Sequence, residues 1–367
     1  MVLLGVSLTY AIYVKHKAKH LQSLTNSHDL HDNAIIKNCS SRLMLEYRKY
    51  ITTTRTNGEM QYNLTQSTHI PVITSEMQNI NTDILGLCTQ METVQNEIKN
   101  HQIVNYITIS LQGRLGNVMF QLAALLSCAK RLNVTALIPS NMLVSSCFRI
   151  LTTSNITVTN LKTFHEEMYA KYDSNIEHFN MSINWTLKGY FQSWIYFYKD
   201  EDLIRRLFKF SPNIQEPADK FVETFRLKNK TIVGVHVRRG DMLTDFNQKL
   251  GYATATPSYL HKSMTYFREK YSNIIFIIAS DDISWCKDNI KINYDNVFSK
   301  FDDPLVDMAM LSVCDHVIIT SGTFGWWGAW LAGGDVVYFE GYPRSGSEID
   351  QGMCHEDYYP PEWIGME

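Results

Sequence analysis

The sequence predicts an α/β protein whose two parallel sheets, each covered by helices, face one another across a cleft. Three observations carry that prediction. From residue 104 onward, short β-branched runs alternate with helical stretches. The clearest runs, from Thr231 on, are short and bounded by turn or polar residues, and their alternation with helices implies a parallel sheet covered on both faces. Glycines, hydroxyls and charged residues collect directly after the runs, where open parallel sheets hold ligands.

Taken in order, the chain begins with an apolar, uncharged run, Val2 to Val14, followed by Lys15, Lys17 and Lys19. We read 1–14 as a short or truncated signal-anchor, because a spanning helix needs about 20 apolar residues. Its basic flank lies after the run, opposite to the usual bias of an anchor with a cytoplasmic N-terminus. Residues 15–103 read as a helical stem. Within 73–101, Met77, Ile80, Ile84, Leu87, Met91, Val94 and Ile98 follow 3-4 spacing, which suits either a short coiled coil or one amphipathic helix on the catalytic domain. In the coiled-coil reading the stem dimerises the protein, and Cys88 at the seam edge bridges two chains.

Residues 104–345 form the catalytic domain, with a donor-binding lobe over about 230–345. Val104 to Ser110 is a strand that runs into Gly113-Arg114-Leu115-Gly116-Asn117; a helix from Asn117 to Leu132 and a strand from Val134 to Pro139 follow. A less regular stretch contains Gly189-Tyr190-Phe191-Gln192-Ser193-Trp194 and a helix from Asp200 to Lys209. Four clearer strands come next: Thr231 to Val237, Ile274 to Ala279, His316 to Thr320 and Asp335 to Phe339. An apolar helix runs through Ala332, and 346–367 reads as a C-terminal tail.

Composition narrows the function classes. A formal net charge of −3 with 19% charged residues argues against general nucleic-acid binding, which needs a basic surface. Seven Asn-x-Ser/Thr triplets, at Asn38, Asn63, Asn133, Asn155, Asn180, Asn184 and Asn229, are candidate glycosylation sites. With the apolar N-terminus they point to a membrane-anchored protein with a lumenal catalytic domain. The 7 cysteines show no C-x-x-C and no zinc-like His/Cys spacing; Cys128, Cys286 and Cys314 sit in apolar contexts and read as core residues.

Four motifs come directly after strands. Gly113 and Gly116 permit close backbone approach, and the helix they open offers unpaired N–H groups to an anion, with Arg114 beside them. A structural turn explains the glycines equally well. The third glycine of a dinucleotide fingerprint and the Lys-Ser/Thr of a P-loop are both missing. His236-Val237-Arg238-Arg239-Gly240-Asp241 leaves a buried strand; its arginine fork suits a pyrophosphate and Asp241 can hold a guanidinium. The alternative is a structural Arg–Asp pair with a core histidine. Ser280-Asp281-Asp282 offers carboxylates for a base edge or a ribose, for a metal, or for a helix N-cap. Thr320-Ser321-Gly322-Thr323 offers Ser321 and Thr323 to phosphate oxygens at a helix start, while Trp326 and Trp327 suit either a sugar platform or, in so apolar a segment, the core.

In this order and spacing, GRLGNVMFQLA, GYFQSW, VGVHVRRGDM, FIIASDDISWC and DMAMLSVCDHVIITSGTFGWWGAWL resemble glycosyltransferase family 11, the galactoside α1,2-fucosyltransferases, from about Ile107 to Phe339. The HxRRxD element is shared with α1,6- and protein O-fucosyltransferases; the SGTFGWWGAW segment points to this family. The resemblance implies a GT-B-type fold, GDP-β-L-fucose as donor, a glycan acceptor, inversion to an α-linked product, no required metal or other cofactor, and a Golgi address. By the same resemblance Arg238 contacts the β-phosphate, His236 and Asp282 lie at the guanine or ribose, and Ser321 and Thr323 lie at the phosphates. Asn117 then stands near the donor–acceptor junction, with Gly113, Arg114, Gly116, Asp281 and Gly322 in the donor site and Arg239 and Asp241 in the catalytic set. No general base is assigned; Asp245 and His165 are the remaining carriers. A fucosyltransferase of other linkage or with a protein acceptor shares the same donor site, and a non-catalytic binding protein on this fold is the reading from another class.

Overall fold

The computed structural model describes residues 105–148, 161–291 and 293–367. The apolar N-terminal run, the stem with its heptads and Cys88, and the triplets at Asn38, Asn63 and Asn155 lie outside the described residues. Among the described residues no helix is long and apolar enough to cross a membrane.

The first lobe is built from β1 (Tyr106–Ile109), α1 (Leu115–Leu132), β2 (Thr135–Leu137), α2 (Met142–Cys147), β3 (Leu161–His165) and β4 (Asn184–Lys188). Its four strands lie in the order β2-β1-β4-β3, all parallel. Two helices, α3 (Glu201–Leu207) and α4 (Pro212–Arg226), lead to the second lobe. There β5 (Thr231–Val237), α5 (Asp245–Leu250), α6 (Pro257–Lys270), β6 (Ile274–Ser280), α7 (Ile283–Asn289), β7 (Asn296–Phe298), α8 (Pro304–Ser312), β8 (His316–Ile319), α9 (Thr323–Ala332) and β9 (Val336–Phe339) succeed one another. The short α10 (Glu348–Gln351) and α11 (His355–Tyr358) precede β10 (Ile364–Met366). The second sheet is parallel throughout, in the order β10-β9-β8-β5-β6-β7.

This is the two-lobed parallel α/β architecture expected of a GT-B-type fold, and the anticipated strands form with ends shifted by two residues or fewer. The strands β3, β4, β7 and β10 were not anticipated. They are three to five residues long; β3, β4 and β7 carry Lys, Asn, Thr or His among few apolar residues, and β10 is only Ile-Gly-Met, so no apolar run announces them. The segment expected as a C-terminal tail carries β10, which pairs with β9, while Tyr358, Tyr359 and Trp363 are buried.

Side-chain alternation explains why the central strands read as unbroken apolar runs. Along β6, Ile275, Ile277 and Ala279 join one core, while Ile274, Phe276 and Ile278 join the other. Gly234 in β5 leaves room for α8, since a Cβ there would lie 2.8 Å from the Leu311 side chain. Helix α1 is buried almost all round, as a helix wedged between layers must be.

Strand order creates a switch point in each sheet. In the second lobe the chain runs from β5 outward through β6 and β7, then crosses to β8 on the other side of β5. In the first it runs from β1 to β2, then crosses to β3 at the far edge and comes back through β4 to the other flank of β1. The loops after β5 and β8, and after β1 and β4, therefore diverge and leave a crevice at the strand carboxyl ends. All four loops carry the motifs singled out above. The two crevices meet where α1 packs on α9: Phe120 lies 4.5 Å from Trp326 and 5.0 Å from Trp327, ring centre to ring centre, and both tryptophans are fully buried.

Candidate active site

At the second switch point the backbone N–H of Arg238 donates to Thr320 Oγ1 at 2.9 Å, tying the loop after β5 to the end of β8. The Arg238 guanidinium bridges two carboxylates, Asp241 on its own loop and Asp281 after β6. Asp281 also accepts the Arg239 N–H at 2.8 Å. Arg239 is held differently: its Nε donates to Asp282 at 3.1 Å and its guanidinium lies 3.8 Å over the Trp285 ring. Gly240 is required here, because a Cβ would lie 2.4 Å from Asp281 Oδ2. The two neighbouring guanidiniums are thus separated, Arg238 between carboxylates and Arg239 packed flat with 13% of its side chain exposed.

At the first switch point α1 starts at Leu115 after the Gly113 turn, whose φ of +83° lies in the left-handed region. Asn117 and Gln121, one helical turn apart, project from one face of α1. Gln121 accepts from Gln112 N at 3.0 Å and donates to Gln112 O and Gly189 O at 3.2 and 3.1 Å. That side chain staples the loop after β1 to the loop after β4. Asn117 Oδ1 accepts from Gln192 Nε2 at 3.1 Å.

Asn117 also joins the lobes. Its Oδ1 accepts the Thr323 hydroxyl at 2.8 Å. Gly116 permits that approach: a Cβ there would lie 2.6 Å from Thr323 Oγ1 and 2.7 Å from its carbonyl carbon. Trp327 Nε1 donates to Gly116 O at 2.9 Å, and Arg114 reaches Asp241 at 3.4 Å. Neither α1 nor α9 has a side-chain cap, whereas α5 to α8 are capped by Thr244, Thr256, Asp282 and Asp303. Two helix N-termini without side-chain caps therefore converge beside Arg114 and Arg238, an arrangement that favours an anion.

Not every expected residue faces this crevice. His236 is buried against Gly325, where a Cβ would lie 2.4 Å from Nδ1, and its ring lies 5.1 Å from Phe324. Its Nδ1 has no hydrogen-bond partner. Burial pushes the imidazole down to about 4 against the pull of Asp281, with Arg238 lowering it further. Ser321, expected at phosphates, is buried with its hydroxyl on Met242 Sδ at 3.0 Å. Gly322, with φ of +84°, is the N-cap of α9. Asp282 accepts the Trp285 N–H at 3.0 Å as the N-cap of α7 while holding Arg239. The two tryptophans belong to the core. Asp245 and His165 are exposed. Among the described residues no group of three or more His, Cys, Asp or Glu is arranged to hold a metal ion.

Several participants escaped the sequence reading. Thr320, fully buried, stood in the motif but carried no role. Gln192 lay within a segment singled out without an assignment. Gln121 had one signal, a polar residue four positions after Asn117 in an otherwise apolar helix. Glu166 had no signal, because the strand before it was itself not anticipated.

Comparison with known proteins gives a family match. The description "Glycosyl transferase family 11" matches residues 69–367, beginning inside the segment read as stem. Galactoside alpha-(1,2)-fucosyltransferase 2 of Rattus norvegicus is 30% identical over 327 residues, covering 82% of this chain and 90% of that protein. Galactoside alpha-(1,2)-fucosyltransferase 1 of Homo sapiens is 32% identical over 276 residues, covering 71% and 74%. A solved structure of an Arabidopsis thaliana FUT1 mutant in complex with GDP aligns at 13% identity and a TM-score of 0.47 over 67% of this chain and 74% of that one, a likeness too slight to build on. By the extent of the family match and of these relatives, the chain belongs to glycosyl transferase family 11.

Proposed function

We propose that the protein transfers L-fucose from GDP-β-L-fucose to the 2-hydroxyl of a terminal β-galactoside, with inversion, giving an α1,2-linked product. The observation that carries this reading is the placement of Arg238 between Asp241 and Asp281, opposite the Asn117–Thr323 junction of the two lobes. The diphosphate lies at Arg238, Arg114 and the start of α9, and the sugar points across the junction toward the first lobe. As the C1–O bond breaks, its electron pair and negative charge move onto the β-phosphate. Arg238, held in advance by its carboxylates, and the N–H groups at the helix starts meet that charge without reorganising. The acceptor oxygen bonds to C1 from the opposite face and passes its proton to solvent water. In this scheme the carboxylates hold arginines in place: Asp281 serves Arg238 and Arg239, and Asp282 serves Arg239 and α7.

The relatives named α1,2-fucosyltransferases support the linkage and the galactoside acceptor. A lumenal, membrane-anchored setting rests on the N-terminal apolar run and the triplets. Asn133 and Asn229 are exposed in left-handed turns and suit glycan attachment, whereas Asn184 accepts the Tyr106 N–H at 3.1 Å from within β4. The test is incubation of purified protein with GDP-fucose and a β-galactoside, followed by linkage analysis. Fucose on the 2-hydroxyl supports the proposal, and fucose elsewhere replaces its acceptor assignment.

A further inference from the structure

We infer that Glu166 is a positioning residue for the junction of the lobes, setting the Gly189–Gln192 turn that aims Gln192 at Asn117; the inference rests on the reading of that crevice as the transfer site. Glu166 directly follows β3 and is no candidate of the mechanism above. Its Oε2 accepts two successive backbone N–H groups, from Tyr190 at 2.7 Å and Phe191 at 2.8 Å. The carboxyl lies flush on the turn, since a Cβ on Gly189 would come within 2.5 Å of Oε2. Phe191 is held at φ +53° with its ring fully buried. A side chain rarely adopts that backbone conformation, so the surroundings must enforce it.

The end of the turn reaches toward the other lobe. Gln192 N donates to Tyr169 O at 2.7 Å, and Gln192 Nε2 donates to Asn117 Oδ1 at 3.1 Å. Asn117 in turn accepts from Thr323 at 2.8 Å. One half-buried carboxyl thus fixes a turn, the turn aims an amide, and the amide orients the residue between the lobes.

The other oxygen, Oε1, faces the Tyr196 hydroxyl at 3.5 Å, which itself accepts the Asp173 N–H at 3.0 Å. Burial pushes the Glu166 carboxyl up to about 8 against the two N–H groups, with the nearby Asp173 adding to the rise. The group is therefore mostly neutral at pH 7. Because both N–H groups bond the same oxygen, a glutamine can accept both through its one carbonyl.

The experiment uses the full chain with Glu166→Gln, Glu166→Asp and Glu166→Ala. It measures kcat and KM for GDP-fucose, together with amide exchange across residues 189–194. Glu166→Gln is expected to keep kcat within about threefold and to leave exchange unchanged. Glu166→Ala should lower kcat by about 10- to 100-fold, the loss typical of a small misplacement at a reacting centre. It should also speed exchange at Tyr190 and Phe191, while donor KM moves less than threefold. Glu166→Asp, which shortens the reach without emptying the site, should fall between them and serves if the alanine variant does not fold. Equal losses in Glu166→Gln and Glu166→Ala would overturn the positioning role in favour of a chemical one. Unchanged kcat and exchange in Glu166→Ala and Glu166→Asp would remove any role. Exchange needs no turnover, so an inactive wild type would fault the transfer reading while the turn remained testable.

Discussion

Adding one methyl group at Gly116 probes the contact between the lobes. In Gly116→Ala the new Cβ would lie 2.7 Å from the Thr323 carbonyl carbon, where ordinary contact begins at 3.4 Å, so the start of α9 must retreat by about 0.7 Å. The obstacle is backbone and cannot swing aside. Retreat stretches the Thr323–Asn117 bond and the Trp327 bond to Gly116 O together. Overpacking of this kind costs about 1–3 kcal/mol, and at roughly 2–4 °C per kcal/mol the melting temperature should fall by about 2–12 °C. The catalytic loss should be larger in proportion, on the order of 10- to 100-fold in kcat, because a shift of about 1 Å at a reacting centre costs about 100-fold. Steady-state kinetics at saturating GDP-fucose, paired with a thermal melt, measures both. A variant with kcat within twofold of wild type would refute the claim that Gly116 and Thr323 set the geometry of the site.

Arg238→Ala should lower kcat/KM by about 100- to 1,000-fold, since it removes a preorganised counter-charge. Its bridged carboxylates are 45% and 27% exposed, so the melt should barely move; a large fall in melting temperature with unchanged kinetics would contradict the assignment. A double-mutant cycle of Asn117→Ala and Thr323→Val in kcat/KM should give a coupling of about 0.5–2 kcal/mol, and additive losses would deny the cross-lobe bond a role. His236 is held near 4 in the fold against 6.5 when exposed, so the unfolded chain binds the extra proton between those values. Stability from this residue is present above pH 6.5 and lost as pH falls toward 4, by up to about 3 kcal/mol. Glu166 and Asp307, raised to about 8 and about 6 by burial, slope the other way. The readout is therefore the difference in melting temperature between wild type and His236→Leu, which should narrow as the pH drops; a constant difference from pH 7 to 4 would count against a buried neutral imidazole.

How legible the site was depended on how local its causes are. Thr231 to Val237 was plain because a strand with six of its seven residues buried leaves a mostly apolar run, and the charges of Arg238, Arg239 and Asp241 break it abruptly. The glycines at 113, 116 and 322 marked real turns or close approaches for the same local reason. What the sequence did not disclose is set by distant partners. Nothing near Asn117 tells that its oxygen meets a hydroxyl 206 positions later. Ser321 and Thr323 look alike in sequence, yet one turns inward to Met242 and the other across to the first lobe. Arg238 and Arg239 are neighbours whose paths separate only because Trp285 offers a face to the second. The short strands β3 and β4 carry too few apolar residues to stand out, and Glu166 and Gln192 were hidden with them.

The central claim is that Arg238, bridged by its two aspartates, and the paired helix starts meet the charge of a departing GDP with fucose bound for a galactoside. The most direct measurement is GDP release by the purified full chain from GDP-fucose in excess EDTA, with and without a β-galactoside, and with product linkage read by NMR. The expected result is acceptor-dependent release, undiminished by chelator, with fucose α-linked to the galactose 2-hydroxyl. Release that requires added Mn²⁺, or no release despite tight GDP binding, would contradict it.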